Sequence, residues 1–146
     1  MNDISYTNNN INNTIGVFNF GVKDKAEVLK MNMQTLAFIG DAVHALFVKE
    51  HFALNADYKK GDLQILVAKV VRAQKQADAL NIFLSGEADV DSLDVVRRAK
   101  NTKTNNIPKN ASVQQYHEAT AYEALVGFYY LTGQKELLLK LLNSTL

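Results

Sequence analysis

Residues 35 to 48 read TLAFIGDAVHALFV, and the reading of this segment decides the fold. Leu36, Ile39, Val43, Leu46 and Phe47 recur three and four residues apart, the spacing of one face of an α-helix, which predicts a helix over Gln34–Phe52. Apart from His44 the remaining positions are apolar or small, and the only acid is Asp41. A helix that is apolar nearly all round is expected to lie inside its domain.

The same period extends through the chain. A short helix is expected over residues 24–31. After a turn around Asn55–Gly61, with Asp62 as N-cap, one long helix is predicted from Leu63 to about Phe83, its stripe made by Leu66, Val67, Val70, Ala73, Ala77 and Leu80. Ser85-Gly86 breaks it. Residues 91–100 form a shorter helix that carries Arg97 and Arg98 to its C-terminal end, where cations suit the helix dipole. Ser112 caps a helix running to about Thr132, which Gly133 ends, and Lys135–Asn143 repeats the pattern with Leu137, Leu138, Leu141 and Leu142. No segment alternates with the period of a strand, so the expected class is all-α, a helical bundle.

Composition bounds the function. The chain of 146 residues fits one domain, and no run of 18 apolar residues offers a membrane span. The first twenty residues contain seven Asn and no basic residue, unlike a secretory signal. Residues 1–22 are read as an Asn-rich tail that cannot offset its own ordering entropy, and residues 23–146 as the folded domain. The absence of cysteine excludes disulfides and thiolate metal sites and agrees with a cytoplasmic location. Net charge is only +1, yet residues 97–109, RRAKNTKTNNIPK, hold Arg97, Arg98, Lys100, Lys103 and Lys109 and no acid. With Lys69 on the preceding helix, this strip is a candidate phosphate-binding footprint, the alternative being a solvated basic loop.

Two carboxylates stand out. Asp41 is the only acid of its segment, and Glu123 is the only charged residue in ATAYEALVGFYYL, residues 119–131. An isolated ionised carboxylate inside an apolar helix must be paired, hydrogen-bonded, neutralised or bound to a metal. Ala37, Ala45, Ala119 and Gly127 flank the two acids at helical spacing and permit close approach of the helices. Hard oxygen donors without Cys or paired His favour Mg²⁺ or Mn²⁺ over zinc. The structural alternative pairs both acids with Arg or Lys, or with hydroxyls such as those of Thr120 or Tyr122. His44, three residues beyond Asp41, could orient it or simply pack.

The stretch 36–43, LAFIGDAV, resembles the signature helix of ribonuclease III catalytic domains, and residues 120–127, TAYEALVG, resemble that family's second acidic helix. Between them lie a basic stretch around Lys100 and Lys103, then Pro108-Lys109-Asn110, Val113 and Tyr116, in the order characteristic of the Mini-ribonuclease III branch. The likeness covers roughly residues 30–142. It implies a homodimeric, all-helical, Mg²⁺-dependent endonuclease (Mn²⁺ substituting) that cuts double-stranded RNA, leaves 5′-phosphomonoesters and matures the ends of large-subunit (23S) ribosomal RNA precursors. Asp41 and Glu123 match the family's metal-directing catalytic acids; Arg97, Arg98, Lys100, Lys103, Lys109 and Lys69 would hold the RNA. Ala37 and Thr120 stand where ordinary ribonuclease III has two further acids, a loss that also marks the Mini branch. That loss motivates one alternative, a non-catalytic RNA-binding relative of ribonuclease III.

Overall fold

The computed structural model describes residues 21–86, 88–103, 107, 109 and 112–146. The Asn-rich residues 1–20, and Thr104–Asn106, Pro108 and Asn110 of the basic loop, lie outside these. Seven helices and no strand occur among the described residues: α1 Lys25–Leu29, α2 Met33–Asn55, α3 Lys60–Val71, α4 Ala73–Leu84, α5 Val90–Lys100, α6 Val113–Leu131 and α7 Lys135–Asn143.

The caps follow the chemistry of helix ends. Asn32, Asp89 and Ser112 each precede a helix in extended conformation, and each side chain accepts from a free N–H of the first turn, at 2.8, 2.8 and 3.1 Å. Gly133 ends α6 at φ +69°, where a side chain would be strained, and the Gln134 N–H returns to the Tyr129 carbonyl at 3.0 Å. Asp62 is not the cap of α3 as its sequence suggests: Lys59 holds that position, and Asp62 sits in the first turn, where its charge suits the dipole.

The helix expected over residues 63–83 is two helices. Arg72 stands between α3 and α4 with ψ 153°, although neither proline nor glycine marks the place. Packing supplies the reason. Val67 and Val70 of α3 close on Val48 and Phe52 of α2, whereas Ala79, Leu80 and Phe83 of α4 join the main core around α6. One straight helix could not turn its apolar stripe to both neighbours, so the chain breaks at an exposed residue.

Helix α6 is the axis of the domain. Ala121, Tyr122, Ala124, Leu125, Val126, Phe128 and Tyr129 are all inaccessible to solvent, with α1, α2, α4, α5 and α7 packed around them. Burial of this many apolar side chains, at about 1.5–3 kcal/mol for each large one, holds the bundle together. Helix α2 departs from expectation. Leu36, Ala37, Gly40 and His44 face α6 and Val48 faces α3, but Phe38, Asp41, Ala42 and Leu46 are exposed, Phe38 at 77% and Leu46 at 49%. Its apolar character all round therefore reflects one face in the core and one left on the surface.

Candidate active site

The crossing of α2 and α6 rests on two glycines. A Cβ at Gly40 would overlap the Glu123 carbonyl group and lie 2.9 Å from the Gly127 nitrogen; one at Gly127 would overlap the Leu36 carbonyl. The helices touch backbone to backbone at this point, and the residues on either side of the contact are Asp41, next to Gly40, and Glu123 itself. Ala37 and Ala119 are buried nearby, as small flanking residues should be, while Gly40 supplies a closer approach than any alanine could.

Asp41 and Glu123 thus meet at one place, in unequal surroundings. Asp41 is solvent-exposed, contrary to the expectation of a buried acid, because the outer face of α2 is uncovered. Glu123 is partly buried. Burial pushes its carboxyl up from an ordinary 4.5 to about 7, the negative charge of Asp41 adds to that rise, and a hydrogen bond from Gln76 opposes it. No basic side chain among the described residues enters this balance. The pairings that would have made the two acids purely structural are otherwise engaged. Thr120 donates to the Tyr116 carbonyl at 2.9 Å, and the Tyr122 hydroxyl points to the Leu141 carbonyl at 3.4 Å. Arg97 and Arg98 pair with Asp94, at 2.7 and 3.6 Å.

Two carboxylates with no basic side chain among the described residues in their balance, one of them raised by burial and further by the other's charge, suit a divalent ion that would relieve both the desolvation and the repulsion. Among the described residues no group of three or more acids or histidines gathers for a metal. Ala37 and Thr120 explain this, since they leave non-ligating side chains in the two other family positions. Magnesium needs no more than one or two carboxylates when waters and substrate phosphate complete its octahedron.

Of the basic candidates, Lys69, Arg97, Lys103 and Lys109 are exposed and Lys100 is partly so. Arg98 has a different occupation: its guanidinium donates to the carbonyls of Leu29 and Met31, at 2.5 and 3.5 Å, and so fastens α1 to α5. Gln34, in the first turn of α2, donates to the Lys103 carbonyl at 3.4 Å, which brings the basic loop to within about 10 Å of Asp41 along the helix axis. Lys69 rides on α3, which packs against the C-terminal half of α2.

His44 does not turn to Asp41. It is fully buried, and its ring bonds Gln76 on one side, at 3.1 Å, and Thr145 on the other, at 2.9 Å. Gln76, at 2% exposure, is the residue that sequence reasoning overlooked. An amide amid an apolar stripe, between Ala73 and Ala77, was the available signal.

Against known proteins, the pattern of the ribonuclease III domain matches residues 34–134. The chain is 36% identical over 119 residues to the Mini-ribonuclease 3 of Thermoanaerobacter sp., covering 82% of this chain and 83% of that one. It is 41% identical over 110 residues to the Mini-ribonuclease 3 of Desulfitobacterium hafniense, covering 75% and 69%. A crystal structure of a protein from Fusobacterium nucleatum superposes with a TM-score of 0.71 at 32% identity, covering 78% of this chain and 90% of that one.

Proposed function

Because this chain belongs to the ribonuclease III family, in its Mini-ribonuclease III branch, it is an endoribonuclease of double-stranded RNA, and we propose that Asp41 and Glu123 are its catalytic acids and hold the Mg²⁺, or Mn²⁺ in its place, that the cut requires. The observation that carries this reading is the convergence of the two carboxylates at the Gly40–Gly127 crossing, with no basic side chain among the described residues entering their balance. When bound, the ion lowers the pKa of a water and stabilises charge developing at phosphorus and on the leaving oxygen. Asp41, accessible from solvent, and Glu123, recessed and hydrogen-bonded, would together hold the ion, which would bridge the carboxylates to the incoming phosphate. The reaction is hydrolysis. A water oxygen bonds to phosphorus, the P–O3′ bond breaks, and O3′ leaves as a hydroxyl on taking a proton, so the downstream strand carries a 5′-phosphate.

Arg97, Lys100, Lys103, Lys109 and Lys69 supply the electrostatic grip on the duplex, which is read through phosphates and 2′-hydroxyls rather than base edges. The enzyme works as a homodimer. The stripe Phe38, Ala42 and Leu46 supports this, since residues four apart on α2 leave a continuous apolar surface beside Asp41. A second copy packed there would bring two sites together, one for each RNA strand. The substrate is the stem of a large-subunit ribosomal RNA precursor in the cytoplasm. No helix among the described residues is long and apolar enough to cross a membrane.

Incubating the purified protein with a 23S precursor stem, in Mg²⁺ and in EDTA, and mapping the ends tests this reading. The parent should cut both strands only with the metal. Asp41→Asn should bind the duplex as the parent does and leave it intact. Cleavage by Asp41→Asn at the parent rate would refute the assignment.

A further inference from the structure

Behind Glu123 lies a chain of buried polar groups that the cleavage reaction does not by itself require. Gln76 on α4, His44 on α2 and Thr145 after α7 are 2%, 0% and 1% exposed in a core otherwise made of Leu, Val, Ala and aromatic rings. Buried polar groups persist only when their bonds are made, and these are made to one another. The direction of every bond can be deduced. The bond from Gln76 favours the ionised form of Glu123, which has only lone pairs, so Gln76 presents its amide nitrogen to the carboxylate. That nitrogen has two hydrogens, and it also lies 3.1 Å from His44 Nδ1. Nδ1 must therefore accept, which leaves the ring's proton on Nε2. Nε2–H then donates to Thr145 Oγ1 at 2.9 Å, and the Thr145 hydroxyl donates to the Leu142 carbonyl at 2.8 Å. Each donor finds one acceptor, with no conflict along the line.

We propose that Gln76 is a positioning residue for Glu123, locked in the productive orientation of its amide by the Nε2–H tautomer of His44 and by Thr145. The proposal rests on Glu123 being a metal-directing acid. If the Gln76 amide were rotated, its oxygen would face both a carboxylate and an imidazole lone pair, so the His44 lone pair and the carboxylate select the same rotamer. The Tyr122 ring, edge-on to His44 with centroids 5.0 Å apart, keeps the imidazole plane from turning. Burial favours the neutral ring that this arrangement needs, lowering the His44 pKa to about 4. Three elements remote in sequence, α2, α4 and the segment after α7, are thereby bonded in series to one carboxylate. Partners behind a metal-directing group orient it, and losing one typically costs about 10–100-fold in metal affinity or activity.

Gln76→Met keeps the volume and removes both donors. It should raise the Mg²⁺ concentration for half-maximal cleavage by about 10–100-fold, while duplex affinity measured in EDTA stays at the parent value. In the full-length parent, side-chain ¹⁵N spectroscopy without metal should show His44 neutral, protonated on Nε2 and bare on Nδ1, and the Nδ1 resonance should move in Gln76→Met. Should Gln76→Met fail to fold, Thr145→Val tests the far end of the line: it should shift the metal requirement in the same direction, and Thr145→Ser should restore it. A purely structural role would lower thermal stability with an unchanged metal requirement, and that result, or a proton on Nδ1 in the parent, overturns the proposal. Active Asp41→Asn or Glu123→Gln would instead sink the metal assignment. With those two inactive and the metal requirement of the folded position-76 or position-145 variant unmoved, only the positioning role fails.

Discussion

Replacing Glu123 by Gln should stabilise the metal-free protein while abolishing cleavage, and the size of the effect can be worked from the site. A carboxyl whose pKa is higher folded than unfolded holds its proton more tightly in the native state. Its stabilising contribution is therefore complete below the unfolded value of 4.5 and is lost as pH climbs through about 7. Each pKa unit is worth about 1.4 kcal/mol, so a parent protein at pH 8 forgoes about 3 kcal/mol that it enjoys at pH 4. Gln carries no charge at any pH and its amide oxygen can still accept from Gln76. Glu123→Gln should thus match the parent at low pH and gain on it steadily between pH 4.5 and 7, reaching a difference of about 3 kcal/mol, or roughly 10 °C in Tm, at pH 8. Urea unfolding in EDTA across that range is the assay. Saturating Mg²⁺ should close the gap from the parent's side, since a ligand at a hundredfold excess over its Kd adds about 2.7 kcal/mol to a protein that binds it. A parent–variant difference that is flat with pH, or a variant less stable at pH 8 than the parent, would refute the account of Glu123 as a carboxylate strained by burial and by Asp41.

Gly40→Ala should lose about 2 kcal/mol or more in denaturant unfolding, because the added methyl meets helix backbone and outweighs the better helix propensity of Ala. Gly61→Ala, in the first turn of α3 with open space around it, is the control and should be neutral or slightly stabilising; equal effects at the two positions would show that α2 and α6 do not touch at Gly40. Phe38→Glu places a charge on the exposed stripe of α2 and should convert a dimer to a monomer in sedimentation velocity at micromolar concentration, with far-UV circular dichroism unchanged. An unaltered sedimentation coefficient would place any dimer contact elsewhere.

The two acids are conspicuous locally: each is the one charge in an apolar stretch, residues 35–48 and 119–131. Their convergence was harder to see. It depends on Gly40, which in the sequence is an ordinary glycine in GDA and in three dimensions is the point where two backbones touch. Gln76 was less legible still. Its role depends on His44, 32 residues earlier, and on Thr145, 101 residues beyond His44, and no local pattern links them. Arg98 shows the converse. Its place in a basic strip suggested RNA, whereas the carbonyls of Leu29 and Met31, far away in the chain, take up its guanidinium.

What the amino-acid order determined alone was everything that rests on contacts within a turn or two: the helical period of α2 and α6, the cap at Ser112, the stop at Gly133, and the absence of strands among the described residues. Those follow from backbone geometry repeated every 3.6 residues and from side chains bonding N–H groups two or three positions on. The break at Arg72, the uncovered face of α2 and the line of bonds behind Glu123 were decided only by the packed bundle. An apolar face can be recognised by its residues, but whether another helix covers it, or must bend to do so, depends on where the whole chain brings its neighbours.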